Sequence, residues 1–551
     1  MSSISLVVAL GVLRSAPLRA SLTATTTHAP EAPLRPPPKF RPHPFAYHEE
    51  VTVTIDDLSS LGDGVGRVQL APDASDADGD DRGWVVMVPF TLPGETVRAR
   101  VFRNHKGHSD ADLLEVVGAP SAVRTEPRCA LFGVCGGCQY QHVEYAEQLR
   151  MKARHVSELL ARTGGLDGAA VRPTIGSPKE LGYRSKLTPQ YNVERRDGER
   201  PAVGFVQART RSRMVDVARC EIATDGINAA LPPAREKVAD SVAAALAAER
   251  RGGKRALGGS VLLRDASEGV VTDHHAWVSE VSAAAPAASA TACHHLTARH
   301  SPCTTHRSQV VPLADGDELR LKFQAGDFFQ NNPFALPALV DYVVAQASAP
   351  LLPRGGEDGA TEGGEGAVVR ARHLIDAYCG SGLFALASAG RFEACAGVET
   401  CESAVRSARA NAKANGIGNC GFVAASAEEI FGRLPAAFAG REAAVVMDPP
   451  RKGADLSFLR QLLRFAPRRV VYVSCGADTL ARDLRLLVGA GYALTEVQPF
   501  DLFPQTRHIE TVATLDLAVD APRQIEAPAE GTREPGRRKR KRQERRRRST
   551  E

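Results

Sequence analysis

From Arg372 onward the chain alternates short apolar runs with amphipathic stretches, and few folds accept that pattern. HLIDAY (from His373), ACAGVE (from Ala394), CGFVAA (from Cys420), AAVVMDPP (from Ala443) and RRVVYVSC (from Arg468) read as strands buried on both faces. Between them SGLFALASA, ESAVRSARANAKANG, LSFLRQLLRF and DTLARDLRLLVGAG carry helical spacing. Two further strands close the region, YALTEVQPFDLF and HIETVATLDL. Strands alternating with helices predict an α/β fold, a doubly wound Rossmann-like sheet with an antiparallel edge.

In such a sheet, ligands bind at the carboxyl ends of the strands. The first strand ends in Asp376-Ala-Tyr378-Cys-Gly380-Ser-Gly382, whose glycines let backbone approach a ligand. About twenty residues on, Glu399 ends the second strand, placed to accept hydrogen bonds from ribose hydroxyls. The third glycine of GxGxxG is missing, which favours S-adenosylmethionine over a dinucleotide. The next motif is Asp448-Pro-Pro-Arg-Lys-Gly, in which consecutive prolines must stop the strand and hold a rigid loop, with Asp448 facing the pocket. Ser474-Cys475-Gly476 sets a thiol, a potential nucleophile, at the same edge. Glu510 is an acid amid apolar alternation, as a general base would be; taken alone it reads as an exposed edge charge.

The 551 residues, 43% hydrophobic and 24% charged, suffice for three or four domains at about 150 residues each. No run approaches the roughly 18 apolar residues of a membrane span. Residues 1–48 form a leader, apolar at 4–13 with no acid before Glu31, which reads either as an organellar transit peptide or as an untargeted N-terminus. Residues 49–118 carry five short alternating runs with glycine turns, predicting a small β-barrel of OB-like kind. Residues 119–330 form a mixed α+β central domain whose Ala, Ser, Thr and His-rich insert, 281–308, reads as a disordered loop rather than a metal site. A Gly and Glu-rich stretch, 354–367, reads as a flexible linker inside the catalytic domain of 331–518. The tail, 519–551, reads as disordered. Between Arg533 and Glu551 it holds eleven basic and three acidic residues, so the remaining 532 residues net −3 of the chain's +5. Such a tail suits a solvated extension, a nuclear address or a phosphate-binding arm.

Eleven cysteines are too few for a disulfide scaffold in so long a chain. Cys129, Cys135 and Cys138 cluster in CALFGVCGGC, with Cys220 far downstream. Four thiolates suit zinc or an iron–sulfur cluster; the triple-plus-one spacing leans toward the latter.

Together these residues resemble the RNA 5-methyluridine methyltransferase family, from about Val51 to Leu515. LGDGVGRV and VPFTLPGE are similar to its N-terminal TRAM domain, CALFGVCGGCQYQ to its cluster loop, and DFFQNNP, DAYCGSG, DPPRKG, VSCG and HIETVATL to its catalytic motifs, in order. The resemblance implies S-adenosylmethionine contacts at Gln330, Tyr378, Glu399 and Asp448. It further implies Cys475 as nucleophile, Glu510 as base, and a [4Fe-4S] cluster on Cys129, Cys135, Cys138 and Cys220. Leu383 stands where many members have Asn, and Ser426 where an acid or Asn is common.

The chemistry follows from uracil itself, whose C5 is too weakly nucleophilic to take a methyl group unaided. Addition of a thiolate at C6 creates an enolate reactive at C5, and a base then removes the C5 proton. The target uridine must be extruded from folded RNA. The barrel and central domain would grip that RNA by shape and single-strand contacts. The expected substrate is the T-loop uridine of transfer RNA, with ribosomal RNA as the alternative. An RNA-binding or folding module without essential methylation is the alternative of another class. A radical methylthiotransferase would carry CxxxCxxC, where this chain has CxxxxxCxxC, and a DNA cytosine methyltransferase a proline before its nucleophile, where Ser474 precedes Cys475. The expected form is a monomer, off the membrane, in a mitochondrion or plastid if the leader governs and in the nucleus if the tail does.

Overall fold

The computed structural model describes residues 36–70, 83–193, 200–210, 213–253, 255–278, 305–351, 370–426, 429–435 and 437–517. The leader up to residue 35, the insert over 281–304, the linker at 354–367 and the tail from 518 lie outside the described residues.

Five strands, β1 (Glu50–Leu58), β2 (Asp63–Val68), β3 (Trp84–Pro89), β4 (Thr96–Asn104) and β5 (His108–Val117), close a barrel in the order β1-β2-β3-β5-β4. Their inward positions alternate along each strand: Val51, Val53 and Ile55 on β1, Val97, Ala99 and Val101 on β4. Gly66 is required here, because a Cβ would lie 2.2 Å from the Thr54 carbonyl oxygen on β1.

The central domain follows. Helix α1 (Tyr145–Leu159) leads into strands β6 (Lys186–Leu187), β7 (Gln190–Asn192), β8 (Val203–Val206) and β9 (Met214–Asp216). Helix α2 (Asp225–Arg250) packs on the resulting sheet, completed by β10 (Ala256–Ala266) and β11 (Gly269–Val278) in the order β11-β10-β7-β8-β9, with β6 also paired to β10. The barrel is tied to this domain by Arg124, whose guanidinium bonds both oxygens of the fully buried Glu95 at 2.6 Å. A bidentate, charge-assisted contact of this kind fixes orientation as well as distance.

A hairpin of β12 (His306–Pro312) and β13 (Glu318–Gln324) comes next. His306–Ser308 are strand, so the low-complexity insert ends before residue 308. The hairpin precedes the expected boundary at 330, yet its apolar face (Val311, Leu319, Leu321, Phe323) is part of the core of the catalytic sheet. Asn411 and Asn415 bond the β13 backbone at Lys322 and Arg320 and hold it there.

After α3 (Leu336–Ser348) the doubly wound domain unfolds in sequence: β14 (His373–Ala377), α4 (Leu383–Ala387), β15 (Ala394–Glu399), α5 (Glu402–Ala414), β16 (Cys420–Ala424), β17 (Ala443–Met447), α6 (Leu456–Phe465), β18 (Arg469–Ser474), α7 (Ala477–Gly489), β19 (Tyr492–Phe500) and β20 (Glu510–Leu517). The sheet order is β16-β15-β14-β17-β18-β20-β19. The first five are parallel, and β20 and β19 are antiparallel, as the alternation predicts. Every residue of β14, β17, β18 and β20 is buried, which is why these runs read as continuous apolar strands. Helix α4 is shorter than the apolar run SGLFALASA suggests, ending in a tight turn at Ala389–Arg391.

Candidate active site

Cys475 and Glu510 are brought together by strand register. In the antiparallel pair β18–β20, Ser474 faces Thr511, so one further step sets Cys475 opposite Glu510. Glu510 is 2% exposed and its Oε1 has no hydrogen-bond partner. Burial, and then the nearby Asp448 carboxyl, push its pKa well above the carboxylate range, while the Arg451 guanidinium pulls the other way. The Cys475 thiol is likewise pushed up to about 11, first by burial and then by Glu510 and Asp448. Arg451 partly offsets this by its charge and a hydrogen bond to the sulfur. Two acids, a thiol and one guanidinium thus share a single site, built where β17, β18 and β20 end or begin.

Beside it lies a second group of carboxyls. Asp376, closing β14, is 1% exposed; its Oδ2 accepts the Ala385 N–H at 2.9 Å and its Oδ1 has no partner. Burial pushes it up to about 8, reinforced by Asp448 and Glu399. Asp448 itself is pushed up to about 7 by burial. Glu399 accepts the Gly380 N–H at 3.1 Å and the Cys401 N–H at 2.9 Å, so it shapes the glycine turn as well as ending β15. Tyr378 adopts φ +67° in that turn, with its ring 5.3 Å from Phe458. One buried carboxyl, Asp376, and two partly exposed ones, Asp448 and Glu399, at a glycine turn suit a cofactor that carries both an ammonium and a sulfonium. Gln330 is buried in the segment between β13 and α3, next to Asn331, which lines the adjoining cavity.

That cavity, of about 470 Å³, is lined by Arg451 of the DPPRKG loop, by Thr506 and His508 of the segment before Glu510, and by the cysteines. Cys129, Cys135, Cys138 and Cys220 all line it, facing Arg184, Lys186, Arg219, Arg451 and His508. Burial pushes Cys138 up to about 12 and Cys220 up to about 11, and neighbouring cysteines add to both. A positive centre among the four would reverse that cost. Among the described residues no three of these sulfurs lie within 4.8 Å of one another. Around one tetrahedral zinc, with Zn–S about 2.3 Å, they would be about 3.8 Å apart. As they stand, the four sulfurs are not gathered as closely as a single tetrahedral zinc would hold them. The one three-donor group within that span among the described residues is His105, His108 and Asp110 at the β4–β5 turn. There the Asp110 carboxylate already takes His105 Nε2 at 2.8 Å, which accounts for the arrangement.

Several residues of the site were not assigned a role from the sequence. Arg451 stands within DPPRKG and could have been read from it. Asp376 begins the glycine motif but looks like an ordinary strand-end acid. Lys152, Gln148 and Tyr183, which hold the segment before Glu510, lie more than 300 residues from their partners.

Residues 366–517 match the family model described as tRNA (Uracil-5-)-methyltransferase, and residues 48–114 match that of the TRAM domain. A tRNA (uracil(54)-C(5))-methyltransferase of Schizosaccharomyces pombe is 36% identical over 485 residues, covering 86% of this chain and 80% of that protein. The chain belongs to the tRNA (uracil-5-)-methyltransferase family. It is a methyltransferase, and its barrel is a TRAM domain. An uncharacterized RNA methyltransferase of Halalkalibacterium halodurans is 32% identical over 500 residues, covering 86% of this chain and 98% of that one. Among solved structures, the Pyrococcus abyssi tRNA (uracil-54, C5)-methyltransferase in complex with S-adenosyl-L-homocysteine shares the fold, with TM-score 0.54 and 20% identity over 84% of this chain and all of that one. No helix among the described residues is long and apolar enough to cross a membrane.

Proposed function

We propose that this methyltransferase acts on C5 of the T-loop uridine of transfer RNA, through a covalent bond between Cys475 and C6 of the base; its S. pombe relative is named for uracil 54. The observation that carries this reading is a partly exposed thiol, one residue past the Ser474–Thr511 pair, within electrostatic reach of a buried carboxyl whose Oε1 has no hydrogen-bond partner.

Bound at the glycine turn, S-adenosylmethionine supplies an electrophilic methyl group. Glu399, Asp448, Tyr378 and Gln330 would hold it, with Asp376 bracing the turn through Ala385. Cys475 rests as a thiol and gives its proton to solvent water on attack, with the Arg451 guanidinium favouring the anion. The sulfur lone pair forms the S–C6 bond and the C5=C6 electrons become available at C5 for the methyl group. Glu510 then takes the C5 proton, the C5–H electron pair restores C5=C6, and the S–C6 bond breaks to free the cysteine. A desolvated carboxylate is a stronger base than one in water, so the burial of Glu510 suits it to that step.

The four cysteines would hold a [4Fe-4S] cluster, a filled coordination set that leaves it a structural part. The cations around the cavity would meet RNA phosphates.

The test is transfer of labelled methyl from S-adenosylmethionine to unmodified total RNA, with products sized and digested to nucleosides. Label in 5-methyluridine of the transfer RNA fraction, lost in Cys475→Ala, is the expected result. Label confined to large RNA would move the substrate to the ribosome. No label in any fraction would sink the enzymatic role.

A further inference from the structure

Between β19 and β20 runs a segment, Asp501 to Ile509, that carries the chain from the sheet edge back to Glu510. It makes no regular structure, yet almost all of it is buried. Its order is imposed from the central domain. Lys152 binds the Asp501 carboxylate at 2.7 Å and the Phe503 carbonyl at 3.2 Å. The Tyr183 hydroxyl donates to the Pro504 carbonyl at 3.0 Å. The densest contact falls on Gln505. Its carbonyl accepts the N–H groups of both Gln139 and Tyr140 at 3.0 Å. Its side-chain oxygen accepts from Gln148 Nε2 at 3.0 Å, and its own N–H donates to Gln148 Oε1 at 3.1 Å. Two residues later the Arg507 N–H donates to Gln139 Oε1 at 3.2 Å.

Gln505 occupies φ +67°, a left-handed conformation that non-glycine residues adopt only when their surroundings enforce it. Four hydrogen bonds from one helix and one loop do so here. The turn they create sends the chain through Thr506, whose hydroxyl accepts the His508 N–H, into the first residue of β20, which is Glu510. Two of the enforcing N–H groups belong to the residues directly after Cys138, so the cysteine loop itself ends on this turn.

We propose that Gln505 is a positioning residue for proton removal: gripped by Gln148 and by the backbone of Gln139 and Tyr140, it sets the turn that aims the Glu510 carboxyl at the pyrimidine C5. The inference rests on the covalent route proposed above. Gln505 touches no reacting atom. Its contribution falls on the step in which Glu510 takes the C5 proton, the C5–H pair restores C5=C6, and the S–C6 bond releases the Cys475 thiolate. Addition and methyl transfer, which need Cys475 and the cofactor edge, do not depend on where Glu510 points.

A loss of turnover alone would fit any structural defect, so the readout is the stalled species. End-labelled, unmodified transfer RNA is incubated with the full-length protein and S-adenosylmethionine, then run on a denaturing gel, where a covalent enzyme–RNA adduct survives. Glu510→Gln is the reference, since it keeps the nucleophile and lacks the base. Gln505→Gly removes the side-chain grip while accepting the left-handed backbone, and Gln148→Met removes the grip from the other side. The expected result is that both accumulate adduct at least fivefold over the parent protein, with turnover down tenfold or more and S-adenosylhomocysteine affinity within twofold. Adduct in Glu510→Gln but none in either glutamine variant would overturn the inference and leave the covalent route standing. No adduct in Glu510→Gln would overturn the covalent route and the inference with it.

Discussion

The Lys152 ammonium lies 2.7 Å from the Asp501 carboxylate, with both side chains sealed from solvent at 1% and 0% exposure, across 349 residues of sequence. It joins α1 of the central domain to the segment that leads into Glu510. Burial alone pulls the Lys152 ammonium down from its usual basicity, and Asp501 opposes that. Such a pair gains little over an apolar isostere, but breaking it on one side strands a buried charge. Lys152→Met should therefore cost about 3–5 kcal/mol of stability. The double variant Lys152→Met, Asp501→Leu should recover most of that. Urea denaturation of the three proteins checks it, and a loss below about 1 kcal/mol in the single variant would show the pair is not sealed.

The TRAM barrel can be damaged without touching the catalytic sheet. Gly66→Ala places a methyl 2.2 Å from the Thr54 carbonyl oxygen, a backbone atom that cannot swing aside. The β1–β2 ladder must part. Affinity for transfer RNA should fall at least tenfold, while S-adenosylhomocysteine affinity stays within twofold. Filter binding for the RNA and calorimetry for the small ligand separate the two, and equal losses in both would refute the division of labour.

Much of this site was legible because it sits where strand periodicity breaks. The prolines of DPPRKG, the glycines after Asp376 and the thiol before Gly476 each mark a strand end, and the fold gathers those ends at one edge. Glu510 was harder. An acid in a terminal strand ordinarily faces solvent, and by itself it reads as an edge charge. In the structure β20 is not the edge: β19 returns outside it, and Phe500 pairs with Glu510. The order of the last two strands thus turned an apparent surface charge into a buried carboxyl. Gln148, Lys152 and Tyr183 had no signal at all, since nothing in a helix or loop announces a partner more than 300 residues away.

Glu399 ties the cofactor edge together by accepting the N–H groups of Gly380 and Cys401. Glu399→Gln keeps the shape but replaces a charged acceptor with a neutral one. Hydrogen bonds to charged groups contribute about 1.5–3 kcal/mol each. The KM for S-adenosylmethionine should rise about tenfold or more, with kcat within about threefold, in steady-state methyl transfer to transfer RNA. A fall in kcat at unchanged KM would place Glu399 in the chemical step instead.

The Cys475 thiol is pushed up to about 11, so at pH 7 the free protein holds it protonated, and the reactive thiolate grows as pH rises toward that value. Alkylation of Cys475 by iodoacetamide, followed by mass spectrometry of its peptide, should therefore quicken about tenfold per pH unit from 7 to near 10. The neighbours give the test its direction. Arg451 favours the thiolate, so Arg451→Met should slow alkylation at every pH in that range. Glu510 opposes the thiolate, so Glu510→Gln should quicken it. Because the two variants move the same rate in opposite directions, a general loosening of the site cannot imitate the result. A rate already level at pH 7 would mean that Cys475 is ionised in the resting protein, and that its surroundings stabilise the anion more than burial opposes it.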